Sequence, residues 1–117
     1  MLAGGREGGG MENDIRIVVV TACPTGVALT YMAATRLLTA AQRLGYLIKV
    51  ETQGALGSED VLTRKDISRA NAAIIAADVD IDGLDRFQNV PVLTVGTARA
   101  IADPDAVLAE ALALPRP

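Results

Sequence analysis

The stretch IRIVVVTA, residues 15–22, is an almost unbroken run of β-branched side chains, and it limits the fold more than any other segment. A strand with one wet face alternates apolar and polar residues. A run that is apolar at nearly every position has to be covered on both faces, as an inner strand of a parallel sheet is. From Val27 the period changes. Val27, Tyr31, Ala34, Leu38 and Ala41 recur at helical spacing, flanked by Ala28, Leu37 and Leu44, with Arg36, Gln42 and Arg43 left for water. Gly45 is placed to end that helix after four to five turns.

The alternation continues along the chain. YLIKVET (46–52) reads as a second strand, followed by the glycine-bearing loop QGALGS. Ser58 or Asp60 is a candidate cap for a short helix, and LTRKDISRA (62–70) carries a helical turn or two with Asp66 near its start. AAIIAAD (72–78) is a third buried strand leading into the acidic loop DVDIDG. VPVLTV (90–95) is a fourth, and Pro91 at its beginning marks an edge or a strand start. In the last segment Asp103 is the N-cap and Pro104 the first residue of a helix over 103–114, with Val107, Leu108, Ala111, Leu112 and Leu114 on its apolar stripe.

Strands alternating with helices require right-handed crossovers. The expected fold is therefore α/β: a three-layer, Rossmann-like domain with a four-stranded parallel sheet in the order 2-1-3-4 and helices on both faces. Half of the 117 residues are hydrophobic, mostly aliphatic, with one Phe, two Tyr and no Trp, which suits a core packed between layers. The glycine-rich head, residues 1–14, is expected to be a disordered tail in which Met11 is a possible start, with residues 15–114 forming the single domain.

Composition also excludes functions. The net charge is -3 and the eleven Lys and Arg are scattered, which argues against nucleic acid as a partner. The chain has no histidine and a single cysteine, so imidazole acid–base chemistry, a structural zinc site and an internal disulfide are all ruled out; no metal and no cofactor are expected. No apolar run reaches the roughly 18 to 20 residues needed to span a bilayer, so direct membrane insertion is not expected and the place of work is read as the cytoplasm.

The lone cysteine, Cys23, stands where an open α/β sheet keeps its ligand site, beyond the carboxyl end of the first strand and before a helix. Two readings compete. A cysteine at the end of a buried strand can be an inert packed residue. Against that, CPTGVALT places Pro24 to fix one φ, Gly26 to allow a positive φ or a close backbone approach, Thr25 and Thr30 as hydroxyl donors, and the N–H groups of residues 25–30 as a nest. The nest and the helix dipole favour a phosphate or a thiolate. Thr25 has a second possible role as the helix N-cap. A Cys-x5-Arg phosphatase needs arginine where Leu29 stands, and a dithiol redox site needs a second cysteine where Gly26 stands, so both fail. What remains is a thiolate that accepts a phosphoryl group and hands it on.

The stretches VVVTACPTGVALTYMAA, IKVETQGALGSEDVLT, AAIIAADVDIDGLDRF and DPDAVLAEAL resemble the fructose-specific enzyme IIB domain of the bacterial phosphoenolpyruvate-dependent sugar phosphotransferase system. The resemblance implies that Cys23 is phosphorylated by the phosphohistidine of a IIA protein and passes the group to fructose, or a related sugar, held by the membrane permease IIC. It implies a phosphate cradle of Pro24, Thr25, Gly26, Val27, Ala28, Leu29 and Thr30, and a surface offered to the partners that includes Gln53 and Gly54. Asp78, Asp80 and Asp82 read as a solvated turn. One position departs from the pattern. The family typically reads Cys-Pro-Thr-Gly-Ile-Ala-His-Thr, and Leu29 occupies the histidine position. The alternative to a carrier is thus a divergent regulatory or interaction module of the same fold; a redox-sensing thiol is a third reading.

Overall fold

The computed structural model describes residues 14–117. The expected tail, residues 1–14, lies outside the described residues apart from Asp14. The elements are β1 (Arg16–Ala22), α1 (Ala28–Arg43), β2 (Leu47–Gly54), β3 (Gly57–Glu59), α2 (Arg64–Ser68), β4 (Ala72–Ala77), a 3-10 turn (Leu84–Phe87), β5 (Val92–Val95), α3 (Thr97–Ala102) and α4 (Pro104–Ala113).

The sheet runs β3-β2-β1-β4-β5. β2, β1, β4 and β5 are mutually parallel, in the spatial order expected for the four strands. The expectation of a four-stranded, all-parallel sheet is corrected by β3, which adds a fifth strand antiparallel to β2. β3 has three residues, all exposed, so it carries no hydrophobic alternation to announce it. Its signal is turn chemistry: a two-residue connection between Gly54 and Gly57, with Gly57 at φ +113°.

β1 is central because its side chains satisfy both faces. Ile17 and Val19 pack with Leu37, Ala40 and Ala41 of α1 and with Val107 and Leu108 of α4. Val18 and Val20 face the opposite way, into Leu62, Ile67, Ala70, Phe87 and Val90. Helices therefore cover both faces, α1, α3 and α4 on one and α2 with the 3-10 turn on the other.

The apolar stripe of α1 is phased differently from the expected one. Thr30, Ala33, Leu37, Ala40 and Ala41 are buried, whereas Val27, Tyr31 and Leu38 are exposed. Three of the five inward residues are alanines, which lets the helix lie close on the sheet, and the phase brings Thr30 inward. At its end Gly45 takes φ +83°, its N–H donates to Gln42 O and the N–H of Tyr46 donates to Ala41 O, a Schellman arrangement.

The other caps follow local chemistry. The short α2 is capped by Thr63, not by Ser58 or Asp60: Thr63 Oγ1 accepts from Asp66 N and Asp66 Oδ2 accepts from Thr63 N, a full capping box. Asp103 caps α4 through Ala106 N, with Pro104 in the first turn, as expected. The helix α3 and the 3-10 turn were not foreseen; each is four to six residues long, too short for a periodic signal.

Behind the carboxyl end of β2 sits a buried ion pair. Glu51 is 1% exposed; Oε1 accepts from Arg86 Nη1 at 2.8 Å and from Leu62 N, and Oε2 accepts from Gln53 Nε2 and from Arg86 Nη2 at 3.1 Å. Burial pushes the Glu51 carboxyl up, but the hydrogen bonds from Arg86, Gln53 and the Leu62 N–H outweigh it, so it is held below its ordinary value. An Arg86→Met chain is expected to lose about 3 kcal/mol of stability, because it strands a buried carboxylate. Urea unfolding at neutral pH measures it; a loss below about 1 kcal/mol would contradict the assignment. Since the folded carboxyl titrates below the unfolded one, this contribution is complete above the ordinary glutamate range and disappears as pH falls through the folded value.

Candidate active site at the carboxyl end of the first strand

Strand register builds the site. Ala22 pairs with Gln53 on β2 and with Ala77 on β4, so the next residue, Cys23, emerges between Gly54 and Asp78. Asp78 is secured there: its N–H donates to Ala22 O, its Oδ1 accepts from Thr97 N and its Oδ2 from Thr97 Oγ1. The Thr97 hydroxyl and N–H hold the Asp78 carboxyl below its ordinary value.

Cys23 is 5% exposed and is a free thiol. Thr30 Oγ1 donates to Cys23 Sγ at 3.0 Å, and Thr25 Oγ1 lies 3.5 Å from the same sulfur. The backbone N–H groups of Thr30 and Val27 add to these hydroxyls in favouring the ionised sulfur. Burial pushes the thiol up, but the hydroxyls of Thr30 and Thr25 and those two N–H groups outweigh it and bring the pKa from 9.0 down to about 6. At neutral pH the sulfur is a thiolate held by donors from one turn of helix and the loop before it.

The loop has the shape that its composition demands. Pro24 and Thr25 form a turn closed by Gly26 N–H on Cys23 O at 3.0 Å, so the N–H of Gly26 is engaged and is not part of the nest. Gly26 has φ +67°, and a Cβ on it would stand 2.4 Å from Ala55 N and 2.9 Å from Gly54 C. Both properties expected of this glycine, positive φ and close approach, are present together. Thr25 is not the helix cap: Val27 occupies that position without a side-chain hydrogen bond, which leaves the hydroxyl of Thr25 for the sulfur.

The remaining residues of the expected cradle sit on the outside. Pro24, Thr25, Val27, Ala28 and Leu29 are exposed, and Leu29, at 41%, makes no hydrogen bond to the sulfur. Gln53 is committed internally: Nε2 donates to Asp82 O and to Glu51, and Oε1 accepts from Asp82 N. Together with Arg86, whose Nη2 also donates to Asp82 O, it pins the 78–86 loop to the end of β2. Gly54 is a contact point, since a Cβ there would meet Tyr31 Oη at 2.8 Å and Gly26 O at 2.9 Å. The Gln53–Asp82 clip and the pairing of Arg86 with Glu51 join residues 29 and 35 positions apart, and neither has a local signal in the sequence.

A thiolate with a titration midpoint near 6 has a measurable consequence. Alkylation of Cys23 in the folded chain is expected to rise through a midpoint of about pH 6, and stability is expected to increase from pH 6 to 9, where the unfolded chain still holds the proton that the folded one has released. The gain is complete above the unfolded value and is lost as pH falls through about 6. Thiolate absorbance against pH, with Cys23→Ala as the blank, checks this; a midpoint of 8 or above would contradict the geometry.

Among the described residues no helix is long and apolar enough to cross a membrane. The model of the family described as PTS system, Lactose/Cellobiose specific IIB subunit matches residues 18–110. The chain is 49% identical over 98 residues to the PTS system fructose-specific EIIB'BC component of Xanthomonas campestris pv. campestris, covering 84% of this chain and 17% of that protein. It is 41% identical over 95 residues to the PTS system fructose-like EIIB component 2 of Escherichia coli K12, covering 81% and 90% of the two chains. The crystal structure of a domain of the fructose-specific IIABC component of Borrelia burgdorferi superposes with a TM-score of 0.83 at 43% identity, over 87% of this chain and 97% of that one. The match spans the sheet, both helical layers and the Cys23 loop, and the chain belongs to the PTS IIB family.

Proposed function

We propose that residues 15–114 are a phosphocysteine carrier domain of a sugar phosphotransferase system, working in the cytoplasm. The observation that carries the reading is the Cys23 sulfur itself, ionised at neutral pH and surrounded by Thr30 Oγ1, Thr25 Oγ1 and two backbone N–H groups. The donor is the phosphohistidine of a IIA protein. The thiolate attacks phosphorus in line, the S–P bond forms, the P–N bond breaks and its electron pair stays on the imidazole. A hydroxyl oxygen of the sugar at IIC then attacks the same phosphorus; the S–P bond breaks, the thiolate returns and the hydroxyl proton goes to a base of the acceptor. The sugar is fructose or a close relative, the class named for two of the similar proteins.

Catalysis of this kind consists of positioning and of stabilising charge on the equatorial oxygens. The exposed cradle residues Pro24 to Leu29 would surround the incoming group, while Gln53 and Gly54 support the floor beneath it. Neither step calls for a metal or an imidazole on this chain.

Leu29 separates the carrier from a silent module. Every donor that reaches the sulfur comes from residue 25, 27 or 30, which favours the carrier. A Leu29→His chain is therefore expected to change the rate of phosphoryl acceptance by no more than about tenfold, the size of one charge-assisted hydrogen bond at the low end of its range. Single-turnover transfer from a phosphorylated IIA protein measures it. If the leucine chain is inert and the histidine chain transfers, the silent module is the correct reading.

A further inference from the structure

The antiparallel strand β3 carries none of the cysteine-loop motif, yet the hairpin that it forms with β2 touches that loop through backbone. The N–H of Ala55 donates to Gly26 O at 2.9 Å. That carbonyl belongs to the same planar peptide unit as the N–H of Val27, and in a trans peptide the two point in opposite directions. A hydrogen bond that fixes the carbonyl toward the hairpin therefore fixes the Val27 N–H away from it, and that N–H is one of the donors that lower the Cys23 thiol.

The hairpin is itself tied down from the helix. Tyr31 Oη donates to Glu59 Oε1 at 2.7 Å, and Thr52 Oγ1 donates to the same oxygen at 3.3 Å. Tyr31 stands one turn into α1, so the helix that presents Thr30 to the sulfur also holds β3. Gly54 and Gly26 let the two backbones meet: a Cβ on either would fall within 3.0 Å of the other segment. An exposed three-residue strand has little to pack and would otherwise be free to fray. Here, beyond its ladder with β2, Glu59 accepts two side-chain bonds, and Ala55 in the turn before β3 adds one backbone bond to the cysteine loop.

We propose that Ala55, with Tyr31 and Glu59 behind it, is a positioning residue for Cys23, acting through the Gly26–Val27 peptide to aim one of the donors that hold the thiolate. Its catalytic meaning rests on the phosphocysteine reading, but the positioning is independent of it. Proline at position 55 removes the N–H, and glycine at 55 retains it.

The test is the pH titration of Cys23 by thiolate absorbance and alkylation, in the absence of any phosphoryl donor. Ala55→Pro is expected to move the midpoint up by about one unit, equivalent to roughly tenfold less thiolate at a fixed pH below it. Ala55→Gly should titrate like the native chain. Tyr31→Phe and Glu59→Gln, which loosen the hairpin without touching its backbone, should each lower the thiolate fraction by about two- to threefold. A folded Ala55→Pro chain with the native midpoint would overturn the proposal, as would an Ala55→Gly chain displaced as far as the proline one. Should the proline chain not fold, native midpoints in both Tyr31→Phe and Glu59→Gln would overturn it equally. The two readings fail separately: shifted midpoints with no phosphoryl uptake by the native chain tell against the carrier, and normal uptake with unshifted midpoints tells against the hairpin.

Discussion

A Cys23→Ser chain is expected to keep its fold and to lose phosphoryl acceptance by on the order of a thousandfold or more, as happens when a nucleophile is removed from an otherwise intact site. Serine fits the space, and its hydroxyl can still accept from Thr30 Oγ1 and lie beside Thr25, so a buried polar group is not left unsatisfied. The lost property is ionisation. The loop lowers a thiol from 9.0 to about 6, but a similar field acting on an alkyl hydroxyl leaves it protonated at any pH the protein tolerates. Transfer from phosphorylated IIA protein, measured beside a circular dichroism spectrum, checks both halves. A serine chain that accepts at the native rate would remove Cys23 from the chemistry.

Gly26→Val is expected to cost about 4 kcal/mol of stability, the sum of roughly 2 for a left-handed backbone on a side chain that avoids it and roughly 2 for overlap with fixed backbone. Gly26 holds φ +67°, and its Cβ direction ends 2.4 Å from Ala55 N and 2.9 Å from Gly54 C. Neither atom belongs to a flexible side chain that could move aside. The hairpin must retreat or the loop must turn over, and either motion takes the Val27 N–H off the sulfur. The unfolding midpoint in urea and the Cys23 titration should therefore move together, the first down and the second up. Gly45→Ala is the informative contrast, because its φ of +83° is strained for alanine but the space around it is open and it follows the end of α1 opposite the cysteine loop. It should destabilise without shifting the titration.

The strand–loop–helix unit was legible because its chemistry is local. Nine consecutive residues, Cys23 to Tyr31, contain the turn, the positive-φ glycine and both hydroxyls, and the run before them is apolar enough to require burial on both faces. The order of the four parallel strands followed from the same requirement. Besides the short α3 and the 3-10 turn, other features were not legible. The phase of α1 was misread because Val27, Tyr31 and Leu38 are more hydrophobic than the alanines that replace them at the sheet; close packing there selects small residues over greasy ones. β3 was missed because an exposed strand held by a turn and by Tyr31–Glu59 has no hydrophobic period. The clip of Gln53 on Asp82 and the Glu51–Arg86 pair join distant segments, and a charged residue in a strand does not name its partner. The acidic loop is a mixed case. Asp80 and Asp82 have exposed side chains as expected of a turn, while Asp78 is engaged as the brace of Thr97.

The most direct test is the position of the phosphoryl group on the native chain. Incubation with phosphoenolpyruvate, the general phosphotransferase proteins and a cognate IIA protein, followed by peptide mapping, should give one acid-resistant, iodine-labile adduct per chain, on the peptide that carries Cys23. Label absent from this chain while the IIA protein is fully phosphorylated, or present on a peptide without Cys23, would contradict the phosphocysteine carrier.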